Sequence, residues 1–197
     1  MIIIVRHGQT VWNILKKKQG RKNSKLTNKG KIQGCRVAKF LENKYILKDN
    51  FIIYASPIKR VVDYINIIDK NLNYFQLAKK VKYLNCLKEH KFGKWEGKTI
   101  EEIKLKYKHE FLKREKDKWN YKIPNGESYQ ILHIKLKKFL KKKINYRKNY
   151  IIFTHEMVSK VLRGILMRLN KRRVIKSKHD SNYIYIFKNN KLNRIKF

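Results

Sequence analysis

Three short apolar runs in this chain end in side chains suited to handling an oxyanion. Ile2-Ile3-Ile4-Val5 runs into Arg6-His7, Phe51 to Ala55 into Ser56 with Arg60 just beyond, and Tyr150 to Thr154 into His155. A phosphomonoester is anionic, so guanidinium forks and amides must neutralise it and hold it for in-line attack. An imidazole is a neutral, unhindered nucleophile near pH 7, whereas a lysine would be protonated. An acid must protonate the leaving oxygen, and a second donor should stabilise the equatorial oxygens. Arg6, His7, Arg60, His155 and one carboxylate, among Glu89, Glu96, Glu127 and Glu156, supply every part. No single one is informative, because isolated histidines are usually surface or satisfied core residues and basic residues number 51. The signal lies in their order and in what precedes them.

The elements that must position these residues follow from periodicity and punctuation. Thr27 reads as the cap of a helix carrying Ile32, Ala38 and Leu41, and Ser56-Pro57 as a cap followed by proline at the first helical position. Val81 to Leu84 is a further strand candidate, and Thr99-Ile100-Glu101-Glu102 has capping-box spacing. After Gly126, residues Tyr129, Leu132, Leu136, Phe139 and Leu140 recur at helical spacing, with Glu127 the expected cap. Val158, Val161, Leu162, Ile165 and Leu169 mark the helix after His155, and Tyr183–Phe187 with Leu192–Ile195 read as a hairpin turning at Asn189-Asn190. Strands alternating with helices predict an α/β three-layer sandwich, its largely parallel central sheet flanked by helices, with residues 1–197 forming one domain. In such sheets ligands occupy the crevice beyond the carboxyl ends of the strands, where Arg6, His7, Arg60 and His155 fall.

A formal charge of +37 would ordinarily suggest a nucleic-acid partner. The excess is spread along the whole chain, however, and Lys, Asn, Ile, Tyr and Phe, all specified by AT-rich codons, are abundant together. Compositional drift accounts for this better than a selected polyanion partner, so no specific nucleic acid is expected. Such a field still attracts anionic substrates and promotes non-specific polyanion adhesion at low salt. Cys35 and Cys86 have neither disulfide-framework nor zinc spacing, which fits a reducing compartment. No secretory leader or membrane-length apolar run is evident, so the expected location is cytoplasmic, without membrane insertion.

Taken in chain order, the motifs resemble those of the histidine phosphatase superfamily, the phosphoglycerate mutase-like group. The resemblance is carried by Arg6-His7-Gly8-Gln9-Thr10 with Trp12-Asn13, then Gln19-Gly20, Leu26-Thr27-Asn28-Lys29-Gly30 and Tyr54-Ala55-Ser56-Pro57-Ile58-Lys59-Arg60. It continues through Leu87-Lys88-Glu89, Phe92-Gly93-Lys94-Trp95-Glu96-Gly97-Lys98-Thr99, Pro124-Asn125-Gly126-Glu127-Ser128 and Phe153-Thr154-His155, covering nearly the whole chain. It implies that His7 becomes a phosphohistidine, that Arg6, Arg60 and His155 clamp the phosphoryl group, and that Glu89 protonates the leaving oxygen and then activates water. Asn13, Gln19 and Gly20 would border the phosphate or substrate, and neither a metal nor an organic cofactor would be needed.

The same resemblance leaves the outcome of catalysis to finer features. A phosphatase acting on a small phosphorylated substrate is favoured, since only a modest stretch from Thr99 to about Trp119 separates the Glu89 region from Pro124-Asn125-Gly126. The alternative is a cofactor-dependent phosphoglycerate mutase, which would need 2,3-bisphosphoglycerate as primer. A relative that has lost catalysis and binds polyanions is a reading of a different class. The chain departs from the family pattern at Asn23, Val61 and Tyr64, and most notably at Glu156, where many relatives carry glycine. Lys16-Lys17-Lys18 follows the phosphate loop and is suited to recruiting anions, whereas Lys141-Lys142-Lys143 reads as a solvated helix end.

Overall fold

The computed structural model describes residues 1–43, 50–73 and 76–197. In chain order the elements are β1 (Ile2–Arg6), α1 (Val11–Ile14), α2 (Asn28–Leu41), β2 (Phe51–Ala55), α3 (Lys59–Lys70), α4 (Leu77–Lys80), β3 (Val81–Tyr83), α5 (Ile100–Lys106) and α6 (Lys108–Lys116). They continue with α7 (Tyr129–Lys143), β4 (Asn149–Thr154), α8 (Glu156–Leu166), α9 (Lys171–Lys176), β5 (Tyr183–Lys188) and β6 (Lys191–Lys196). Among the described residues the strands form a six-stranded sheet in the order β3-β2-β4-β1-β5-β6. The first four run parallel, β5 is antiparallel to β1, and β6 is antiparallel to β5.

Side-chain alternation along each strand builds a core on each face of the sheet. Ile2 and Ile4 of β1, with Tyr150 and Ile152 of β4, meet Leu132 and Leu136 of α7 and Val158, Val161 and Leu162 of α8. Ile3 and Val5, with Ile151 and Phe153, meet Val37, Ala38 and Leu41 of α2 and Val61, Ile65 and Ile68 of α3. Each such side chain, buried fully, contributes roughly 1.5–3 kcal/mol before entropy is counted. The result is an α/β sandwich with helices on both faces of a mostly parallel sheet. A third, smaller cluster of Phe92, Trp95, Ile103 and Ile123 holds α5 and α6 beside the sheet.

Several local readings are corrected. Ile32 is 54% exposed, because the buried stripe of α2 runs through Gly30, Gln33, Gly34, Val37, Ala38 and Leu41 and leaves position 32 off it. Ser56 does not cap α3; the N-cap is Ile58, and the Ser56 hydroxyl accepts from the Ile58 amide while bonding to His155. Glu127 does not cap α7, because Ser128 accepts from the Ile131 amide in that role. Leu169 lies beyond α8, which ends at Leu166. Thr27 and the Thr99–Glu102 capping box perform as read, whereas α1, closed by a Thr10–Asn13 capping box, went unforeseen in a stretch read as loop.

Strand register brings the functional ends together. Arg6 pairs with Thr154 and Ala55 with Phe153, so β1, β4 and β2 finish side by side. The His7 amide then donates to the Thr154 carbonyl at 3.1 Å and the Ser56 amide to the Phe153 carbonyl at 3.0 Å, carrying the ladder one residue past the strands.

Tyr64 of α3 is fully buried beneath this edge, and its hydroxyl has no hydrogen-bond partner among the described residues. Tyr64→Phe is therefore expected to leave the fold intact and to change stability by no more than about 1 kcal/mol, in the stabilising direction. Urea denaturation of the two proteins checks this.

Candidate active site

His7 sits at the carboxyl end of β1 and is almost completely buried. Its Nδ1 lies 2.8 Å from the Gly8 carbonyl, which can only accept, so that nitrogen carries the proton and Nε2 keeps a lone pair. Burial, then the charges of Arg60 and Arg6, hold the imidazole well below its ordinary pKa, so it is neutral at pH 7. The Nε–H of Arg60 donates to this lone pair at 3.1 Å. A phosphoryl oxygen that accepted from Arg60 in its place would release Nε2 for attack.

Arg60 arrives from the first turn of α3 and is only 1% exposed. Two backbone carbonyls hold its fork, Nη1 on Lys22 and Nη2 on Gly20, both at 2.8 Å. Its own amide donates to Asn23 Oδ1 at 2.9 Å, so Asn23, one of the departures from the family pattern, anchors the helix start. Burial lowers the Arg60 pKa to about 10, with Glu89 opposing, and the group stays charged at neutral pH. Glu96 organises the carbonyls that grip it by accepting from the amides of Arg21, Lys22 and Phe92. Gly20 has φ +52°, and a Cβ there would meet Glu96 Oε1 at 2.1 Å, so only glycine allows this carboxylate to close on the loop.

Arg6 is held from the other side. Its Nη1 donates to the His179 carbonyl, its Nη2 meets Glu156 Oε2 at 3.3 Å, and its buried Nε has no partner among the described residues. His179 was not foreseen. It is fully buried between the Ser159 hydroxyl and the Tyr183 carbonyl, and nothing in its Lys-rich surroundings distinguishes it in sequence.

His155 lies against His7 with ring centroids 5.3 Å apart in an edge-to-face arrangement. Its Nε2 is 2.7 Å from the Ser56 hydroxyl, and its buried Nδ1 has no partner among the described residues. Burial, with Arg60, His7 and Arg6 adding to it, keeps this ring neutral as well. Glu89 is buried with Oε1 on the His90 amide at 2.8 Å and Oε2 on the Met157 amide at 3.3 Å. Burial raises its pKa above the ordinary carboxylate range, although Arg60 pulls the other way.

Arg6, His7, Asn13, Gln19, Gly20, Arg60 and Glu89 line one cavity of about 630 Å³ at the carboxyl edge of the sheet, with His155 behind His7. Gln19 Nε2 donates to the Thr10 hydroxyl at 2.7 Å while its buried Oε1 is unpartnered, and Asn13 Oδ1 accepts from the Thr10 amide at 3.0 Å. The remaining carboxylates separate by use. Glu96 positions the loop, and Glu127 accepts from the Lys91 amide and pairs with Arg21. Glu156 pairs with Arg6 at the cavity wall. The outer wall is cationic: Lys16, Lys17, Lys18, Arg114 and Lys160 all reach it. Trp95 is buried in the wall cluster, with the Arg114 guanidinium 5.7 Å from its ring centroid. Among the described residues no group of three His, Cys, Asp or Glu side chains is arranged to hold a metal ion, and no helix is long and apolar enough to cross a membrane.

The family model for branch 1 of the histidine phosphatase superfamily matches residues 2–191. The chain belongs to that family. Over 168 residues it is 28% identical to a fructose-2,6-bisphosphatase of Saccharomyces cerevisiae, a match covering 85% of this chain but 34% of that protein. Over 161 residues it is 26% identical to phosphoserine phosphatase 1 of Hydrogenobacter thermophilus, covering 78% of this chain and 70% of that one. The chain thus spans about a third of the yeast relative's length. Its fold is that of the alpha-ribazole phosphatase from Shigella flexneri, with a TM-score of 0.80 at 19% identity, covering 99% of this chain and 94% of that chain.

The buried imidazoles tie stability to pH. His7, His90, His155 and His179 all have depressed pKa values, His90 to about 3, mainly through burial. The unfolded chain takes up protons at these positions from about pH 6.5 downward while the folded chain does not. Stability present above about pH 6.5 is therefore lost as pH falls, by up to ~1.4 kcal/mol per pH unit per histidine, with the raised Glu89 offsetting one such contribution. Urea denaturation at pH 7.5 and 5.5 should give a distinctly lower midpoint at the acidic value.

Proposed function

We propose that this protein hydrolyses a small phosphomonoester in two displacements through a phosphohistidine at His7. One observation carries the reading: His7 offers an unprotonated Nε2 to a cavity bordered by Arg6, Arg60 and Glu89. In the first displacement Nε2 attacks phosphorus in line with the ester oxygen. The N–P bond forms as the ester P–O bond breaks, and Glu89, entering as the carboxylic acid, gives its proton to the leaving oxygen. Arg6, Arg60 and His155 donate to the phosphoryl oxygens, and the unpartnered Arg6 Nε and His155 Nδ1 are suited to that task. In the second displacement water attacks phosphorus while the Glu89 carboxylate takes a proton from it. The N–P bond breaks, phosphate leaves, and His7 returns neutral with Glu89 protonated.

The raised pKa of Glu89 supports its part, because burial favours the protonated form from which an acid must start. Asn13, Gln19 and Gly20 border the substrate, and the cycle uses no metal or organic cofactor. The relatives' names, a fructose-2,6-bisphosphatase and a phosphoserine phosphatase, support hydrolysis of a phosphoester. In this reading the enzyme works in a reducing cytoplasm on small phosphorylated compounds.

Leaving-group dependence tests Glu89 directly. With an alkyl phosphate, Glu89→Gln is expected to lower kcat/KM by about 10²–10⁴-fold, but far less with 4-nitrophenyl phosphate, whose leaving group needs little protonation. His7→Ala should abolish both activities. Equal losses with the two esters in the Glu89 variant would remove it from the acid role, and turnover surviving in His7→Ala would end the phosphohistidine reading.

A mutase would share the first displacement and return the phosphoryl group to a second hydroxyl. Incubation with 3-phosphoglycerate and trace 2,3-bisphosphoglycerate separates the two outcomes. Whatever phosphate is released is expected without 2-phosphoglycerate; isomerisation faster than release would make the protein a mutase.

A further inference from the structure

Glu156 is the first residue of α8, directly after His155, and its carboxylate stands 3.3 Å from the guanidinium of Arg6. Its location is electrostatically costly for a phosphatase. A phosphoryl dianion bound by Arg6 would have this carboxylate as a near neighbour, and like charges in a partly buried site repel strongly. The other carboxylates of the cavity wall are already satisfied. Glu89 spends both oxygens on backbone amides, and Glu115 pairs with Lys118 at 2.6 Å and Arg114 at 3.7 Å. Glu156 meets Arg6 through Oε2, and its Oε1 has no hydrogen bond or ion pair among the described residues. Once Arg6 turns its charge to a phosphoryl group, Glu156 feels Lys18, Lys160 and Arg163 at longer range but is bonded to none of them, and a substrate ammonium can take the place that Arg6 leaves.

One helical turn further along α8 the sign reverses. Lys160 stands four residues on, so it shares the Glu156 face of the helix and lines the same cavity. Its ammonium is fixed by donating to the Ile175 carbonyl at 2.9 Å and the Tyr129 hydroxyl at 3.3 Å, leaving its third N–H for a ligand. Lys18 reinforces the positive end from the facing loop. From the phosphoryl site outward, α8 therefore presents an anion and then a cation.

Resting on the hydrolytic reading of His7, we infer that the cavity takes an O-phosphorylated amino acid, with its phosphoryl group at His7, its ammonium on Glu156 and its carboxylate on Lys160. The zwitterion reverses the order of charges on α8, so each substrate charge meets its opposite. It also resolves the cost of placing Glu156 beside a dianion, because the ammonium lies between them. Glu156 is in this sense a specificity-determining residue. Where the family pattern has glycine, this chain carries a group that rejects phosphoesters with no cation next to the ester.

O-phosphoserine, 3-phosphoglycerate and O-phosphoethanolamine dissect the claim. The second replaces the ammonium of the first with a hydroxyl, and the third lacks the carboxylate. Steady-state kinetics with all three, and with 4-nitrophenyl phosphate, should be run on the wild type, Glu156→Gln and Lys160→Met. The expected wild-type kcat/KM for phosphoserine exceeds that for 3-phosphoglycerate by at least about tenfold. Glu156→Gln should collapse that ratio toward one or invert it, and Lys160→Met should collapse the ratio of phosphoserine to phosphoethanolamine. Because each ratio is taken within one protein, a loss of folded material leaves it unchanged. Wild-type turnover of 4-nitrophenyl phosphate with no preference for phosphoserine, or a preference that survives Glu156→Gln, would overturn this assignment and leave the hydrolytic reading standing. Absence of turnover on all four esters would overturn both.

Discussion

The structure around the site depends on a buried guanidinium. Arg60 is sealed from solvent, and its charge is tolerable only because backbone carbonyls of residues 20 and 22 take its fork while its Nε rests on His7. A buried cation left unpaired would cost several kcal/mol, so the loop that supplies those carbonyls must be held as firmly as the core. Glu96 holds it, reaching back to the amides of Arg21 and Lys22 to fix a backbone path that Gly20 alone permits. The chain of cause runs from a carboxylate near the fifth helix, through a glycine turn and an arginine, to the protonation state of an imidazole.

That state is the second consequence. An imidazole among arginines does not take up a second proton, and a carbonyl on Nδ1 decides which nitrogen keeps its lone pair. The same surroundings have the opposite effect on Glu89, whose burial outweighs the nearby cation and raises its pKa. One environment thus shifts both groups toward their neutral forms, the direction that the proposed two-step transfer asks of its nucleophile and its acid. The Arg6 Nε, which has no partner among the described residues, belongs to the same design: a donor fixed in advance does not have to reorganise when charge develops.

Much of this was legible in sequence because the relevant residues lie immediately after strands, where an apolar run ending in a polar pair already says that the pair faces the crevice. His7, Arg60 and His155 were recognisable for that reason, and the two cores follow from alternation in Ile2–Val5 and Tyr150–Phe153. Long-range partners of single polar residues were not legible. Ser56 looks like a helix cap from its neighbour Pro57, yet its hydroxyl is used by a histidine 99 residues away. Glu127 looked like a cap from its distance to an apolar stripe, but Arg21, 106 residues distant, claims it. His179 and Glu96 act through backbone groups, which leave no trace in residue type.

Register between β1 and β4 gives the site a position in time as well as space. His7 is made long before its strand can pair with residues 149–154, and the carbonyl that steadies Arg6 belongs to residue 179. During synthesis, therefore, the segment around His7 waits on the ribosome as an exposed, ordinary histidine beside a slack arginine. The site is assembled only after residue 179 has emerged, so a fragment released before that point would carry His7 without the groups that position it.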